Sequence, residues 1–283
     1  MCKNIEAPEV AKQYGMNRLV FEDDFESLDT IDLEATGKEG FKWYMRRPYG
    51  ASTLTPDDFS IKDSVLTFHA HKATWNYGLC TVDAHNGVGY TFNKGVLEFR
   101  IRVPHFTQEL RSSKTTLGGG IPAVWSFPRD KIYEWEGNYA PQWVETDWME
   151  YWGDLDAFPG GHYTITLHES IRAQDENGVC QHKECSQKHS LGKERHFNGF
   201  NDNLWHTMTF LWEEDLFVGY FDGKEVLRMN YGEGKLCDPL PKVATGEQVE
   251  GAFSYMNKQE LALIICGSLH NPLEIDWIRV WQK

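Results

Sequence analysis

The amino-acid sequence predicts an all-β protein in which two sheets pack together. Most segments with a clear pattern alternate or run apolar, with β-branched and aromatic residues. No long segment carries a 3.6-residue apolar period with a cap at each end, so helices should be few and short. Because the sequence contains no internal repeat and no Pro/Ser/Gly-rich linker, we expect one domain over residues 1–283, with residues 1–17 as an N-terminal extension.

The predicted strands are distributed along the whole chain. In Gly95–Val103 alternate residues form one polar and one apolar face, which is typical of a half-buried antiparallel strand. Asp222–Gly223 lies between two apolar runs and is a two-residue hairpin signal. The other predicted strands are Val65–Ala70, His162–Leu167, His206–Trp212, Leu216–Phe221, Glu260–Cys266 and Leu273–Trp281.

Two polar, turn-rich stretches are predicted to be loops inserted between the strands. They are Gln108–Gly120 and Arg172–Asn201. Cys180 and Cys185 in the second stretch are compatible with a small disulfide loop or with two free thiols. A zinc site with the neighbouring histidines is a third alternative, although the spacing matches no standard zinc pattern.

Charge and hydropathy exclude several classes of partner. The 42 acidic residues outnumber the 28 basic ones and give a net charge of −14, which argues against a nucleic-acid partner. No apolar stretch approaches 18 residues, so the sequence predicts no membrane span. The first 15 residues contain no apolar segment of a secretory signal. We expect a monomer.

The segment Trp143–Gly153, WVETDWMEYWG, is the most informative part of the sequence. In a strand Glu145 and Asp147 point to one face, but Glu150 lies five residues from Glu145 and would point to the other. A single β-bulge between Asp147 and Glu150 corrects this parity. All three acids then share one face, together with Trp143 and Trp152.

The opposite face of this strand is predicted to be core. Thr146 and Trp148 would point into it. Three acids on the other face repel one another, which raises at least one pKa. Cleavage of a glycosidic bond needs one ionised and one protonated carboxyl group. The alternatives are a solvated acidic strand edge and a calcium loop, although a calcium loop would carry Gly and Asn between its acids.

Six segments of the chain resemble motifs of glycoside hydrolase family 16, in the family's order. ETDWMEYWG resembles the bulged E-x-D-x-x-E signature of its laminarinase-type members, with Thr146 and Trp148 where aliphatic residues are usual. The other segments are LVFEDDFESLD, GVLEFRIRVP, IPAVWSFP, NLWHTMTFLW with LFVGYFDGKEV, and LEIDWIRVWQK. The resemblance covers nearly the whole chain and implies a concanavalin-A-like jelly-roll β-sandwich with a curved substrate cleft.

The resemblance also implies a chemical role for each acid. Glu145 matches the nucleophile of a retaining double displacement, and Glu150 matches the general acid/base. Asp147 would hold a proton or a hydrogen bond between them. No cofactor is required for this chemistry.

Further residues have a functional and a structural interpretation. Trp125 matches the family's sugar-stacking tryptophan, and the alternative is core packing. Trp143 and Trp152 could stack on sugar rings or pack in the ordinary way. His168 matches a family histidine and could orient a carboxylate or bind a substrate hydroxyl, and the alternative is a structural histidine. Asp276 matches a ligand of a structural calcium ion in some members, and the alternative is a surface acid.

The substrate is predicted to be a polysaccharide. The first hypothesis is an endo-acting hydrolase of β-1,3- or mixed β-1,3/1,4-glucan, outside the cell or at its surface, since such chains do not cross membranes. The usual glucan-side Asn-Glu-Leu-Gln-Tyr-Tyr motif is absent, and TWNYGLCTVDAH stands there instead. A β-galactan hydrolase, acting on agar, porphyran, carrageenan or a host galactosaminoglycan, is the alternative enzyme. A non-catalytic glucan-binding protein is the alternative of another class.

Overall fold

The fold was determined as a computed structural model. It describes residues 5–45, 54–68, 78–104, 122–132, 142–155, 158–174, 180–185, 196–200, 202–230, 254–267 and 272–283. At residues 142, 152–155, 158–161, 169–174, 180–185, 196 and 254 it describes the backbone alone.

Strands account for most of the regular structure. In chain order they are β1 Arg18–Asp23, β2 Ile31–Asp32, β3 Trp43–Tyr44, β4 Phe59–Lys62, β5 Val65–Phe68, β6 Leu79–Cys80, β7 Gly95–Arg102, β8 Ala123–Pro128, β9 Gln142–Leu155, β10 Phe158–Gln174, β11 Cys180–Cys185, β12 His196–Asn198, β13 His206–Trp212, β14 Leu216–Phe221, β15 Lys224–Asn230, β16 Leu261–Cys266 and β17 Glu274–Gln282.

Helices are few and short in the described ranges, as the sequence predicts. The α-helices are α1 Glu9–Gln13 and α2 Arg129–Ile132, and the 3₁₀ helices are Leu28–Thr30, Pro56–Asp58 and Ser254–Lys258. No helix in this part of the chain is long and apolar enough to cross a membrane.

The strands form two sheets, which we name sheet A and sheet B. Among the described residues sheet A has eight strands in the order β15-β14-β13-β7-β17-β5-β4, with β1 paired to β17. Sheet B has nine in the order β11-β10-β9-β8-β16-β6-β3-β2, with β12 paired to β10. The pairs are antiparallel, except that β2 and β3 are parallel. Neighbours distant in sequence, such as β7 with β17, give a jelly-roll sandwich, which confirms the predicted fold class.

The core between the sheets follows from the predicted alternation. On β7, Leu97, Phe99 and Ile101 are at most 1% exposed and belong to the main apolar cluster. From sheet B, Trp148 packs against Phe210 of β13, with ring centroids 5.3 Å apart. Burial of a large apolar side chain contributes about 1.5–3 kcal/mol. These contacts join the two sheets behind β9.

The N-terminal extension packs on the outer face of sheet A. Ala11 on α1 and Met16 after it are buried in an apolar cluster with Val96, Leu211 and Trp281 of the sheet. This cluster is separate from the main core. The extension therefore covers part of sheet A on the side away from sheet B.

The predicted hairpin at Asp222–Gly223 is confirmed. It joins β14 to β15, and Phe221 pairs with Lys224. Both turn residues have positive φ angles, 48° at Asp222 and 76° at Gly223. These angles are those of a type I′ turn, whose twist matches the strands on either side.

The prediction of a loop over Arg172–Asn201 is wrong for most of the described part of this stretch. β10 continues to Gln174, and β11 and β12 both pair with it. The sequence of β11, CQHKEC, contains no Val, Ile, Leu or aromatic residue, so an edge strand leaves no apolar signature there. Because β11 is extended, Cys180 and Cys185 lie about 17 Å apart at about 3.4 Å per residue. A disulfide needs about 4.4–6.8 Å between Cα atoms, so these two cysteines do not pair with each other. The other predicted loop, Gln108–Gly120, lies outside the described residues.

Candidate active site

The predicted β-bulge is present in β9, between β8 and β10. On the β10 side, Thr166 faces Asp147 and Thr164 faces Glu150, so three steps of β9 match two steps of β10. On the β8 side, the pairing skips Trp148, which is the extra residue of the bulge. The parity of β9 therefore changes between Asp147 and Glu150.

The bulge sorts the side chains of β9 between two faces. Thr146, Trp148 and Met149 are fully buried on the core side, so the prediction for Thr146 and Trp148 is confirmed. Two consecutive residues, Trp148 and Met149, point into the core, and Glu150 returns to the opposite face. We call this opposite face of sheet B, which carries Glu145, Asp147 and Glu150, the site face.

Asp147 is the most deeply buried of the acids. It is 4% exposed, whereas Glu145 and Glu150 are partly exposed. His168 on β10 lies within 3.0 Å of it, measured from Nε2 to Oδ2 of the carboxylate. The contact fixes the orientation of the aspartate, because a histidine nitrogen is a directional hydrogen-bonding group. The structure places His168 against a carboxylate, and its predicted role in orienting that group or in binding substrate stays a prediction.

Glu150 receives a hydrogen bond from the neighbouring strand. The Thr164 hydroxyl donates to its Oε2 at 3.2 Å, and Thr164 is the cross-strand partner of Glu150. A hydroxyl orients a carboxyl group without fixing its charge, since it can accept a hydrogen bond as well as donate one. Glu150 thus has one carboxylate oxygen positioned by β10.

The spacing of the three acids along β9 fits the lengths of their side chains. On β10, the partners of Glu145 and Glu150 are His168 and Thr164, which are separated by about 14 Å at about 3.4 Å per residue. A shorter acid, Asp147, lies between them. Because glutamate is one methylene longer than aspartate, the side chains of Glu145 and Glu150 can extend over Asp147 toward each other.

The core side of the bulge is held by polar as well as apolar contacts. The indole N–H of Trp148 donates to the hydroxyl of Ser126 on β8, and both side chains are fully buried. The Trp148 ring also stacks on Phe217 of sheet A at 5.5 Å. Since a bulge interrupts the ladder, these contacts replace part of the stabilisation that regular pairing would give.

The predicted stacking tryptophans lie on the site face but are largely covered. Trp125 is 8% exposed, and its N–H donates to Sγ of Cys266 at 3.0 Å. Trp143 is 4% exposed, with the ammonium group of Lys131 4.0 Å from its ring centroid. Both belong to an apolar cluster on this face, so sugar stacking by either stays a prediction. The side chain of Trp152 lies outside the described residues.

Asp276 does not present a calcium ligand set among the described residues. Its Oδ2 forms an ion pair with Nη1 of Arg100 on the outer face of sheet A. The described part of the chain contains no group of three or more His, Cys, Asp or Glu side chains that could hold a metal ion. A guanidinium group supplies the positive charge that a cation would bring. Structural calcium stays a prediction that rests on the motif.

Two residues that contact β9 close to the acids were not predicted from the sequence. Thr164 could have been found, because HYTITLH places His162, Thr164 and His168 on one face of a strand. Gln259 could not. Its side chain hydrogen-bonds the backbone of Val144, 115 residues earlier in the chain, and no local pattern marks it.

Comparison with known proteins places this fold. The sequence matches no protein-family model and no curated protein. The structure is similar to a laminarinase from Flavobacterium sp. UMI-01, with a TM-score of 0.52 and 16% identity over 94% of this chain and 100% of that chain. It is also similar to the LamA catalytic domain from Zobellia galactanivorans, with a TM-score of 0.51 and 15% identity over 95% of this chain and 99% of that chain.

A third similar structure was solved in work on endo-acting O-glycanases that members of the human gut microbiota express to initiate mucin breakdown. The TM-score is 0.51 and the identity 15%, over 93% of this chain and 90% of that chain. At such identities the similarity shows the fold. The resemblance to the laminarinases of glycoside hydrolase family 16 is thus confirmed at the level of the fold: the chain is a jelly-roll β-sandwich of their type.

Proposed function

We propose that this protein is a retaining, endo-acting glycoside hydrolase that cleaves β-1,3- or mixed β-1,3/1,4-glucan. The observation that carries the proposal is the bulge at Trp148, which brings Glu145, Asp147 and Glu150 to one face of β9. A regular strand would leave Glu150 on the core side. The bulge interrupts regular strand pairing, and it places all three acids where they can act together on one substrate.

The proposed reaction is a double displacement. Glu145 attacks the anomeric carbon while Glu150 protonates the departing glycosidic oxygen, and a glycosyl ester forms on Glu145. Glu150, now ionised, then removes a proton from water, which attacks the same carbon and releases the sugar with its configuration retained. Retaining enzymes hold these two carboxyl groups about 5–5.5 Å apart.

Asp147 and His168 support the two glutamates. Asp147 lies between them in sequence and is nearly buried, so its charge acts on both through little solvent. The contact of 3.0 Å with His168 ties its orientation to β10. We assign His168 as a positioning residue, because it contacts Asp147 and we give it no contact with substrate.

The glucan assignment is supported by the fold shared with the Flavobacterium laminarinase. A second candidate is a mucin-type or other β-galactan substrate, supported by an equal similarity to the O-glycanase structure, with a TM-score of 0.51. The apolar cluster of the site face, which includes Ile264 and Cys266, is compatible with either. A hydrolase of such polymers would act outside the cell or at its surface.

The experiment that tests the proposal is a reducing-end assay with product sizing on a panel of polysaccharides. The panel contains laminarin, barley β-glucan, agarose, porphyran, carrageenan and mucin, each incubated with wild type, Glu145→Gln and Glu225→Gln. Glu225 lies on β15 in sheet A, so its variant controls for the loss of a glutamate outside the site. We expect oligosaccharides from a glucan with wild type and Glu225→Gln, and none with Glu145→Gln.

Other outcomes separate the candidates. Release from mucin or a galactan, but from no glucan, would keep the enzyme and replace the substrate. If no polysaccharide is cleaved, and one binds wild type and Glu145→Gln equally, the protein is a binding protein. The anomeric configuration of the first product, observed by NMR, tests retention separately.

A further inference from the structure

We propose that Gln259 is a positioning residue for the reaction, because its side chain holds the backbone of β9 next to Glu145. This inference rests on the proposed function, since it assigns Glu145 as the nucleophile. Gln259 lies between the 3₁₀ helix Ser254–Lys258 and β16, outside the strands that carry the acids.

The contact is a two-point clamp on one residue. Oε1 of Gln259 accepts a hydrogen bond from the N–H of Val144 at 3.0 Å. Nε2 of the same side chain donates to the carbonyl oxygen of Val144 at 2.6 Å. A carboxamide has the donor and acceptor of a peptide group, so Gln259 takes the place of a residue on a neighbouring strand.

The clamp is needed because β8 stops pairing before it reaches Val144. The register between β8 and β9 ends where Ser126 faces Thr146. Two residues further, β8 ends at Pro128, which has no N–H to donate to a ladder. The N–H and C=O of Val144 are buried, and buried backbone groups require partners. Gln259 supplies both.

The clamp is itself anchored to sheet A. Nδ2 of Asn93 donates to the carbonyl oxygens of Gln259 at 2.7 Å and of Asn257 at 3.1 Å. The side chain of Asn257 in turn accepts from the indole N–H of Trp212 on β13 at 3.2 Å. Gln259 is 7% exposed, so water does not readily compete for these bonds. A chain of hydrogen bonds therefore connects the backbone of Val144 in sheet B to Trp212 in sheet A.

The backbone is held by different contacts at the two glutamates. Glu150 is held by cross-strand pairing with Ala123 on one side and Thr164 on the other. Glu145 has the β10 partner His168, and on the β8 side the adjacent residue Val144 depends on Gln259. Loss of the clamp should thus move the nucleophile relative to the acid. Misplacement of a reacting group by about 1 Å can lower the rate on the order of 100-fold.

The test compares Gln259→Leu and Gln259→Glu with wild type and with a matched control, Gln282→Leu. Gln282 also donates from its side-chain amide to backbone carbonyls, those of Asn93 and Lys94, but it lies on β17 of sheet A. Each variant is first checked for folding by circular dichroism and thermal melting. Then kcat and KM are measured on the substrate that the polysaccharide panel identifies, across a range of pH.

We expect Gln259→Leu to lower kcat about 10- to 100-fold with little change in KM, and Gln282→Leu to leave kcat unchanged. The kcat of Gln259→Glu, expressed as a fraction of the wild-type kcat at the same pH, should rise as the pH falls. The introduced carboxyl group can donate to the Val144 carbonyl only while it is protonated. A merely structural role would lower the melting temperature of both glutamine-to-leucine variants without this pH-dependent recovery.

Two results would overturn the inference, and they are distinguishable. If folded Gln259→Leu has the kcat of wild type, the clamp does not position Glu145, while the proposed function stands. If wild type cleaves no polysaccharide, the proposed function fails and the positioning role fails with it. If Gln259→Leu does not fold, the Gln259→Glu variant decides the question. The inference is contradicted if the ratio of its kcat to the kcat of wild type does not change with pH.

Discussion

Strands β9 and β17 both carry a β-bulge, and they use it differently. In β9 the extra residue is Trp148, and the bulge adds a side chain to the core. In β17 Ile275 faces Ile101 and Trp277 faces Arg100, so the extra residue is Asp276. That bulge adds an acid to the outer face of sheet A, whereas the bulge in β9 keeps three acids together on the site face.

The partners of the acids differ as well. Asp276 and Glu274 of β17 form ion pairs with Arg100 and Arg102 of β7. Both guanidinium groups also lie over the ring of Trp205, at 5.3 and 4.8 Å from its centroid. An arginine holds its charge at any ordinary pH, so each of these carboxylates has a permanently charged partner.

On β9 two contacts of the acids are with side chains of another kind. Asp147 contacts His168, and Glu150 accepts from the hydroxyl of Thr164. An imidazole can gain or lose a proton and a hydroxyl carries no charge, so these two contacts differ in kind from the arginine pairs of β17. The two bulges therefore differ both in the side chain that they add and in the contacts of the acids beside them. Substitutions on the two strands should therefore separate activity from stability.

The largest expected effect is that of Glu150→Gln, compared with Glu274→Gln on β17. Removal of the general acid should lower kcat on a polysaccharide about 10²- to 10⁴-fold, while Glu274→Gln should leave kcat unchanged. Steady-state kinetics on the identified substrate and on an aryl glycoside with a good leaving group provide the check. The aryl glycoside needs less protonation, so its kcat/KM, which reports formation of the glycosyl ester, should be spared; equal losses of kcat/KM on both substrates would contradict the role of Glu150 as the acid.

Substitution of His168 should have the next largest effect. His168→Leu removes the contact with Asp147, and we expect kcat to fall up to about 100-fold because the acids lose their fixed geometry. His168→Gln retains a donor and should recover part of the rate. Kinetics of both variants, with melting temperatures as the folding control, test this. The idea would be abandoned if leucine and glutamine gave the same kcat as wild type.

Arg100→Met should have a smaller effect, and on stability alone. It removes the ion pair with Asp276 and the stacking on Trp205 but keeps much of the apolar stem. We expect the free energy of unfolding in urea to fall by about 1 kcal/mol, with kcat unchanged. A loss of activity in the folded variant would mean that the outer face of sheet A contributes to the reaction.

The smallest expected effect is a pH dependence of stability at His206 on β13. Burial lowers the pKa of His206, but hydrogen bonds to Asp222 and Asp202, at 2.7 and 3.0 Å, outweigh it and raise the pKa above its ordinary value. Burial raises the pKa of Asp202, and the bond to His206 outweighs that and lowers it.

The sign of the effect follows from these directions. A raised histidine pKa contributes stability that is fully present below about pH 6.5 and is lost as the pH rises through the folded-state pKa. A lowered aspartate pKa contributes stability that is present above about pH 3.9 and is lost on acidification. The melting temperature of wild type should thus fall more than that of His206→Asn between pH 6 and pH 9. Parallel melting curves for the two proteins over that range would refute it.

The alternation of residues was sufficient to predict strands that lie half-buried in the middle of a sheet. The bounds of β13 and β14 agree with the prediction, since each presents an apolar face to the core. The same reasoning failed at β11, an edge strand without an apolar face, and the stretch that contains it was wrongly predicted to be a loop. Because periodicity in the sequence reports an apolar face, it gives no signal for a strand whose sequence contains none.

The bulge in β9 was predictable because parity demands it. Glu145 and Glu150 cannot share a face on a regular strand, and buried Trp148 needs the core side. The equivalent bulge at Asp276 was not predicted, since a polar residue next to a surface tryptophan breaks no pattern. A sequence indicates a bulge only when its residues need faces of the strand that the regular two-residue alternation cannot give them.

The amino-acid sequence by itself determined the all-β class, the central strands and the acids of the site face, because each depends on residues close together in the chain. Only the tertiary structure decided that His168 holds Asp147, that Thr164 holds Glu150 and that Gln259 replaces a missing partner of Val144. These contacts join different strands and depend on cross-strand register and on where β8 ends. Register and strand ends are settled by the packing of the two sheets, since one face of each must be buried, and local sequence does not encode them.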